Sequence, residues 1–253
     1  MTMYRRELLS LGVFALVPQV SGLVAPPLEL DDLVAANHIL ASENIVDGYG
    51  HVSYRSPRDK SRFLLSRSIA PESVTALDIL EYGLDGEPIN SKGATSYKER
   101  YIHSEIYRAR PDVNAVVHCH APSLIPFGVT KVPLRPMYHQ SAFLAAGVPV
   151  FEIREAAGMT NMLVETAALG RALAKTLADK PAALMRGHGA VVVADTIPNV
   201  VGRSIYLEIN ARVQAQAIAL GGPITYIDPE EARKYAASDN YSRAWELWKK
   251  KAK

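Results

Sequence analysis

The residues of this chain best equipped for chemistry are histidines. His118 and His120 stand two apart at the end of the apolar run Val116-Val117, and His188 lies between two glycines in Arg186-Gly187-His188-Gly189. An apolar run of this kind reads as a buried strand, in which residues i and i+2 point to one face, so both imidazoles can converge on one point. A third histidine at that point would complete a set that holds a divalent cation with a coordination position left open, the form of a catalytic rather than a structural site. Imidazole suits zinc, manganese or iron, so one such ion per chain is the expected cofactor. A histidine pair alone is as often a hydrogen-bonded core feature, but here a second motif accompanies it. The glycines around His188 allow the backbone to approach a ligand closely, and a histidine buried between apolar strands needs a partner.

Apolar periodicity sets these motifs on a scaffold of helices and strands. Residues 28–45 read as a helix with Asp31 and Asp32 in its first turn, where the helix dipole favours them. Residues 52–55 and 63–66 read as strands of a hairpin through Pro57-Arg58-Asp59, and 79–82 as a strand before the turn Leu84-Asp85-Gly86. A helix is expected over 99–110, stopped by Pro111, and a strand over 113–117 that delivers His118. Further strands are expected over 145–151, 182–186 and 190–194, and helices over 163–177 and 196–220, the last with Pro198 in its first turn and Gly221-Gly222 at its end. Irregular alternation predicts an α/β fold with a central mixed sheet between helices on both faces. His38 on the first helix reads as a packing residue, and His103, one turn beyond Glu99, as a support.

With 253 residues, the chain fits one α/β domain. Twenty-eight basic against 26 acidic residues leave a net charge of +2, and 48% of the chain is hydrophobic, which excludes a disordered chain and argues against a nucleic-acid binder. Lys249, Lys250, Lys251 and Lys253 read as a solvated tail, and the single Cys119 excludes an intrachain disulfide. Residues 1–25 differ from the rest: Arg5-Arg6 precedes a short apolar stretch that ends before Pro26-Pro27. That stretch is shorter than the roughly 20 apolar residues needed to span a bilayer, and Tyr4-Arg5-Arg6-Glu7-Leu8-Leu9 resembles a twin-arginine export signal. The expected layout is an export segment over 1–25 and one catalytic domain with a C-terminal tail over 26–253. The mature protein would then be periplasmic without stable membrane association; the alternative is a cytoplasmic enzyme with an N-terminal helix. The segment 227–253 reads as a lid over a neighbouring site or as subunit packing.

Three stretches together carry a family resemblance. Tyr97-Lys98-Glu99-Arg100, Arg110-Pro111-Asp112-Val113-Asn114-Ala115-Val116-Val117-His118-Cys119-His120-Ala121-Pro122 and Leu184-Met185-Arg186-Gly187-His188-Gly189-Ala190 resemble the class II aldolase/adducin family over residues 28–222. The resemblance implies a three-layer α/β/α domain, a ring-shaped homotetramer, and a divalent metal near a subunit interface. His118, His120 and His188 match the metal ligands, and Glu99 matches the acid that binds metal or moves protons. Adducin-like relatives have lost this chemistry, so the alternative of a non-catalytic scaffold is weighed against four retained residues that favour an enzyme. Gly50-His51-Val52-Ser53 and Tyr97-Lys98 stand where sugar-phosphate aldolases carry a Gly-Asn segment and a Ser-Ser pair. The pattern is more similar to the decarboxylase branch, which acts on hydroxylated aromatic or heteroaromatic carboxylates; an aldolase or dehydratase acting on a sugar or sugar phosphate is the alternative.

The implied substrate is a small carboxylate or sugar-like molecule. Ser66-Arg67-Ser68 and Arg186 are candidates for binding it, because arginine offers a planar fork for a carboxylate. Glu99, His51 or His139 would move the proton, and Tyr97 would position the leaving group.

The export reading gives a direct expectation. Replacing Arg5 and Arg6 together with lysine should hold the protein in the cytoplasm on cell fractionation, because that pathway reads the paired guanidiniums. A chain beginning at Pro26 should keep its metal content. Unchanged location of the double variant and a lowered melting temperature of the truncated chain would instead make residues 1–25 a docked helix.

Overall fold

Seven strands form one sheet, and their order brings three distant motifs to one place. The computed structural model describes residues 28–89, 91, 93–236 and 241–252, so the export segment read over 1–25 lies outside the described residues. In chain order the elements are α1 (Leu28–Ser42), β1 (His51–Arg55), β2 (Arg62–Ser66), β3 (Ile79–Gly83), α2 (Arg100–Ala109), β4 (Ala115–Cys119), α3 (Ile125–Val129), β5 (Val150–Phe151), α4 (Ile153–Ala157), α5 (Ala167–Leu177), β6 (Ala182–Met185), β7 (Gly189–Ala194), α6 (Ile197–Leu220), α7 (Pro229–Ala236) and α8 (Ser242–Lys251). The sheet order is β3-β2-β1-β4-β7-β6-β5. Every neighbouring pair is antiparallel except β5 and β6, so the sheet is mixed as expected. His51 of β1 lies opposite His118 of β4, and His118 lies opposite Val191 of β7.

Strand alternation divides the sheet into two apolar faces. On one face Val52, Val117, Cys119 and Val192 pack against α1, α6 and the tryptophans of α8. On the other, Phe63, Leu65, Val116 and Val191 pack against Ile102 and Ile106 of α2 and Leu173 and Leu177 of α5. The result is the three-layer α/β/α arrangement. Strands β4 and β7 are buried along their whole length, which explains why they read as continuous apolar runs.

Local signals fix the helix ends. Thr166 and Thr196 each accept a backbone N–H three residues on, from Leu169 and Asn199, and so cap α5 and α6. Buried Arg55 closes α2 at its other end: its guanidinium donates to the carbonyls of Tyr107 and Arg110, and also to those of Val113 and Lys60. Those first two carbonyls belong to the helix terminus, where the chain itself supplies no partner.

Two expectations need correction. Of the strand read over 145–151, Ala145 and Ala146 end a 3-10 turn, His139–Ala146, capped by Gly147 with φ 95°, residues 147–149 are irregular, and only Val150–Phe151 pairs in the sheet. Ala145-Ala146-Gly147 has little β-branched or aromatic content to hold a strand. Of the lysine run read as a solvated tail, Lys250 and Lys251 are exposed, but Lys249 is held against the domain. Trp245 and Trp248 are buried in the core, and Lys249 Nζ pairs with Asp32 of α1 at 2.8 Å. Among the described residues, no helix is long and apolar enough to cross a membrane.

The turn between β6 and β7 needs both of its glycines. Gly187 has φ +64°, and a Cβ at Gly189 would lie 2.0 Å from the carbonyl oxygen of Cys119. The close approach, expected toward a ligand, is made by Gly189 to the end of β4 instead, between His118 and His120. Gly189→Ala should push the strands apart at that point. Overpacking of this kind costs about 1–3 kcal/mol, or roughly 2–10 °C in melting temperature for a domain of this size. Calorimetry should show the loss together with a lower metal content; wild-type values for both would refute the close-packing argument.

Candidate active site

Glu99 stands immediately before α2, His118 and His120 at the end of β4, and His188 in the β6–β7 turn, and the four offer ligand atoms all within 4.8 Å of one another. The Nε2 atoms of His118 and His120 are 3.0 Å apart, and those of His120 and His188 are 3.1 Å apart. Glu99 Oε2 lies 3.4 Å from His118 Nε2 and 3.6 Å from His188 Nε2. Backbone contacts aim each ligand. His118 Nδ1 faces the carbonyl of Ala190 at 3.1 Å, and His188 Nδ1 faces that of Met162 at 3.1 Å. A carbonyl only accepts, so both Nδ1 atoms carry the proton and both Nε2 lone pairs point into the cluster. The Val164 N–H, at 2.8 Å, holds Glu99 Oε1 and leaves Oε2 for the centre.

The donor set fits a divalent cation. Two Nε2 atoms have no proton to donate, and His120 can donate to only one neighbour, so the lone pairs repel unless a positive charge lies between them. Burial, reinforced by His118 and His188, pushes His120 down to about 4 and keeps it neutral, as a ligand must be. Burial alone would raise Glu99, yet His118 and His188 outweigh it and hold the carboxyl well below its usual range. Cys119, between two of the ligands, faces the opposite side of the sheet, and burial pushes its thiol up to about 12.

Beside the cluster lies a cavity of about 530 Å³, walled by Glu99, His120, His51, Tyr49, Gly50, Ser68, Ile69, Thr95, Ser96, Tyr97, Lys98 and Leu163. Of the candidates from sequence, His51, Tyr97 and Ser68 border it. The Tyr97 ring packs 4.5 Å from that of His51, but its hydroxyl donates to the carbonyl of Ile69 and also contacts Ser66 Oγ at 3.2 Å. Tyr97 therefore fixes the 66–70 loop as a wall, and its hydroxyl is not available to a leaving group. Ser66 is fully buried behind it.

The two arginine forks are engaged elsewhere. Arg67 Nε donates to Asp78 Oδ1 at 2.6 Å, and Arg186 pairs with Glu152 at 2.6 Å; neither lines the cavity. His139 starts the 3-10 turn, packs edge-on against Tyr235, and joins neither the cluster nor the cavity wall. His38 Nε2 bonds the Val74 carbonyl at 2.8 Å, in keeping with packing. Lys98 was passed over, although it is the one Lys or Arg among the described residues lining the cavity and meets no acidic side chain there. The signal for it was its place directly before Glu99. His103 has the supporting place expected of it one turn beyond Glu99, and Tyr107, four residues further along the same helix face, extends that row beyond what the sequence reading names.

The fold and the four converging ligands define a metal-dependent enzyme built on an α/β/α sandwich. The model described as Class II Aldolase and Adducin N-terminal domain matches residues 31–215, and the chain belongs to that family. It is 35% identical over 240 residues to Decarboxylase tropJ of Talaromyces stipitatus, covering 85% of this chain and 90% of the relative. Against 3,4-dihydroxyphthalate decarboxylase of Arthrobacter keyseri the identity is 28% over 231 residues, covering 84% and 89%. The solved structure of L-fuculose 1-phosphate aldolase from Glaciozyma antarctica superposes with TM-score 0.72 at 25% identity, covering 89% of this chain and 86% of that one. The chain is thus a lyase on the decarboxylase-like branch of the family.

Two outcomes follow. Alanine at His118, His120 or His188 should weaken metal binding by more than the ~10–100-fold typical of losing a supporting contact, read by metal analysis after dialysis, with circular dichroism unchanged. Full occupancy in all three variants would refute the ligand set. Acid should destabilise the metal-free protein. Burial, with His118 adding to it, pushes His103 down to about 3, and His120 sits at about 4. An unfolded histidine titrates near 6.5, so the unfolded chain binds more protons below about pH 6.5 and stability must fall as pH drops toward 4. Melting curves should show that decline; a flat profile from pH 7 to 4 would contradict neutral burial.

Proposed function

We propose that this enzyme decarboxylates a hydroxylated aromatic or heteroaromatic carboxylate. The observation that carries the reading is the cavity wall: Lys98, with no acidic partner among the described residues, lines the same space as His51 and the Glu99–His120 edge of the cluster, together with Tyr97, Ile69 and Leu163. An aromatic ring suits those walls, and its carboxylate suits Lys98. The two relatives named decarboxylases support the same chemistry.

His118, His120, His188 and Glu99 would hold the ion, and three imidazoles with one carboxylate accept zinc, manganese or iron. Such an ion, when bound, supplies Lewis-acid stabilisation of charge on a substrate oxygen beside the scissile carbon. The proton is the chain's own task. His51 Nε2 takes the substrate's hydroxyl proton and returns it to the ring carbon bearing the carboxylate. The C–C bond then breaks, its electron pair returns to the ring to leave a phenolate, and carbon dioxide departs. The hydroxyl hydrogen has become the new C–H hydrogen, so atoms and charge balance. Tyr97, Ile69 and Leu163 exclude water from the ring.

A second reading has its own support. Ser68, Thr95, Ser96 and Lys98 on one wall could instead hold a phosphate, as an aldolase acting on a sugar phosphate would require. We also propose a homotetramer: Val129, Met159 and Met162 are exposed apolar side chains around the β6–β7 turn, a patch that a neighbouring subunit would cover. Export to the periplasm by residues 1–25 remains part of the proposal, on the Arg5-Arg6 pattern.

The deciding assay measures carbon dioxide from a panel of hydroxybenzoates and hydroxypyridine carboxylates, against aldehyde from ketose phosphates. Carbon dioxide from the first panel is expected, and aldehyde release alone would overturn the decarboxylase reading. Lys98→Ala should raise KM for the carboxylate by about 10–100-fold, the worth of one hydrogen bond to a charged group, and should leave the KM of an amide analogue nearly unchanged. Arg67→Ala should have a smaller effect, because Arg67 does not line the cavity and its Nε is bound to Asp78.

A further inference from the structure

Behind the cavity a chain of polar side chains runs from His51 into the core. His51 Nδ1 lies 2.6 Å from His103 Nε2, and His103 Nδ1 lies 2.6 Å from Ser53 Oγ. Ser53 Oγ lies 2.8 Å from the Tyr107 hydroxyl, which donates to the backbone carbonyl of Asn114 at 3.3 Å. Ser53, His103 and Tyr107 are at most 1% exposed, so no water competes for these groups. Two periodicities build the chain: His51 and Ser53 are i and i+2 on β1, and His103 and Tyr107 are i and i+4 on α2.

One direction makes all of these bonds at once. A carbonyl cannot donate, so the Tyr107 O–H points to Asn114 and its oxygen is left to accept from Ser53. Ser53, having given its hydrogen to Tyr107, accepts from His103 Nδ1–H. His103 Nε2 is then a bare acceptor, and His51 Nδ1–H donates to it. Reversing the chain would forfeit the Tyr107–Asn114 bond. His51, which lines the cavity, is left with its proton on Nδ1 and a lone pair on Nε2 that has no protein partner among the described residues.

We propose that Tyr107, Ser53 and His103 are positioning residues that lock His51 in its Nδ1–H tautomer and so present Nε2 as a hydrogen-bond and proton acceptor to a hydroxyl-bearing substrate. The catalytic consequence rests on the role of His51 in the proposed decarboxylation, whereas the tautomer itself does not. The chain ends on a carbonyl in the core, so it cannot conduct a proton to solvent. Its effect is orientation: a proton accepted at Nε2 must leave through Nε2, back to the substrate.

Zinc-loaded protein labelled with ¹⁵N-histidine tests the lock without substrate. Near pH 7.5 the wild-type spectrum should show His51, assigned by its loss in His51→Gln, protonated at Nδ1 and bare at Nε2. Tyr107→Phe removes the acceptor that Ser53 uses. The Ser53 hydroxyl then turns to His103 Nδ1, His103 Nε2–H donates to His51 Nδ1, and the His51 proton should move to Nε2. In that variant kcat should fall by tenfold or more with KM little changed, a split that mere loosening of the core would not give. An Nε2–H tautomer in the wild type, or an unmoved Nδ1–H tautomer in Tyr107→Phe, would overturn the proposal. If Tyr107→Phe does not fold, Ser53→Ala serves: it leaves His103 Nδ1 without a partner, and a mixture of His51 tautomers is expected, against a single unchanged one. A tautomer that moves while kcat stays constant would uphold the lock and refute the role given to His51 in decarboxylation.

Discussion

Three imidazole nitrogens face one another at separations of 3.0 and 3.1 Å along His118, His120 and His188, and at least two of them have no proton to share. Lone pairs so placed repel, and they stay together only because the surrounding backbone holds them. The carbonyls of Ala190 and Met162 fix the rings through Nδ1, and the Val164 amide fixes Glu99. The antiparallel register of β4 with β7 sets His118 against the β6–β7 turn, and the close approach allowed by Gly189 completes it. Rigid strands buried on both faces supply the stiffness. The site is therefore preorganised by elements whose other duty is the core.

Charge is sorted around this centre. The cluster sets three imidazoles and one carboxylate around one point, a donor set that complements a dication. Nearby arginines are paired with acids of their own, Arg67 with Asp78 and Arg186 with Glu152, so they hold loops rather than ligands. Lys98 is the one Lys or Arg lining the cavity among the described residues, and a single ammonium suits a monoanion more than it suits a fully charged phosphate. Serine and threonine hydroxyls on the same wall keep the phosphate reading open to the product assay.

Helix α2 joins both halves of the chemistry. Glu99 at its start belongs to the metal cluster, and His103 and Tyr107, one and two turns on, belong to the chain behind His51. Arg55 closes the far end of the helix through the Tyr107 and Arg110 carbonyls and stacks its guanidinium 4.7 Å from the Tyr107 ring centroid. A shift of this helix would disturb ligand and base together, so the two cannot drift apart.

The sequence alone carried the two histidine motifs, Glu99, the mixed sheet between helices, and most element boundaries, because those follow from period, caps and apolar runs that are local in the chain. Thr196, Pro198 and Gly221 mark α6 by local signals alone, and the three motif stretches carry the family. What a guanidinium pairs with is not local. Arg67 and Arg186 read as free forks because Asp78 lies 11 residues away and Glu152 lies 34 positions before its partner, and only folding brings these charges within 2.6 Å. His139 read as a possible proton carrier on residue type alone, and its position against Tyr235 removes it from the described site. The strand expected over 145–151 failed where Ala-Ala-Gly gives the sheet nothing to grip. Tautomer was beyond sequence altogether: the state of His51 depends on a carbonyl three side chains away, which β1, α2 and β4 bring into line only in the folded protein.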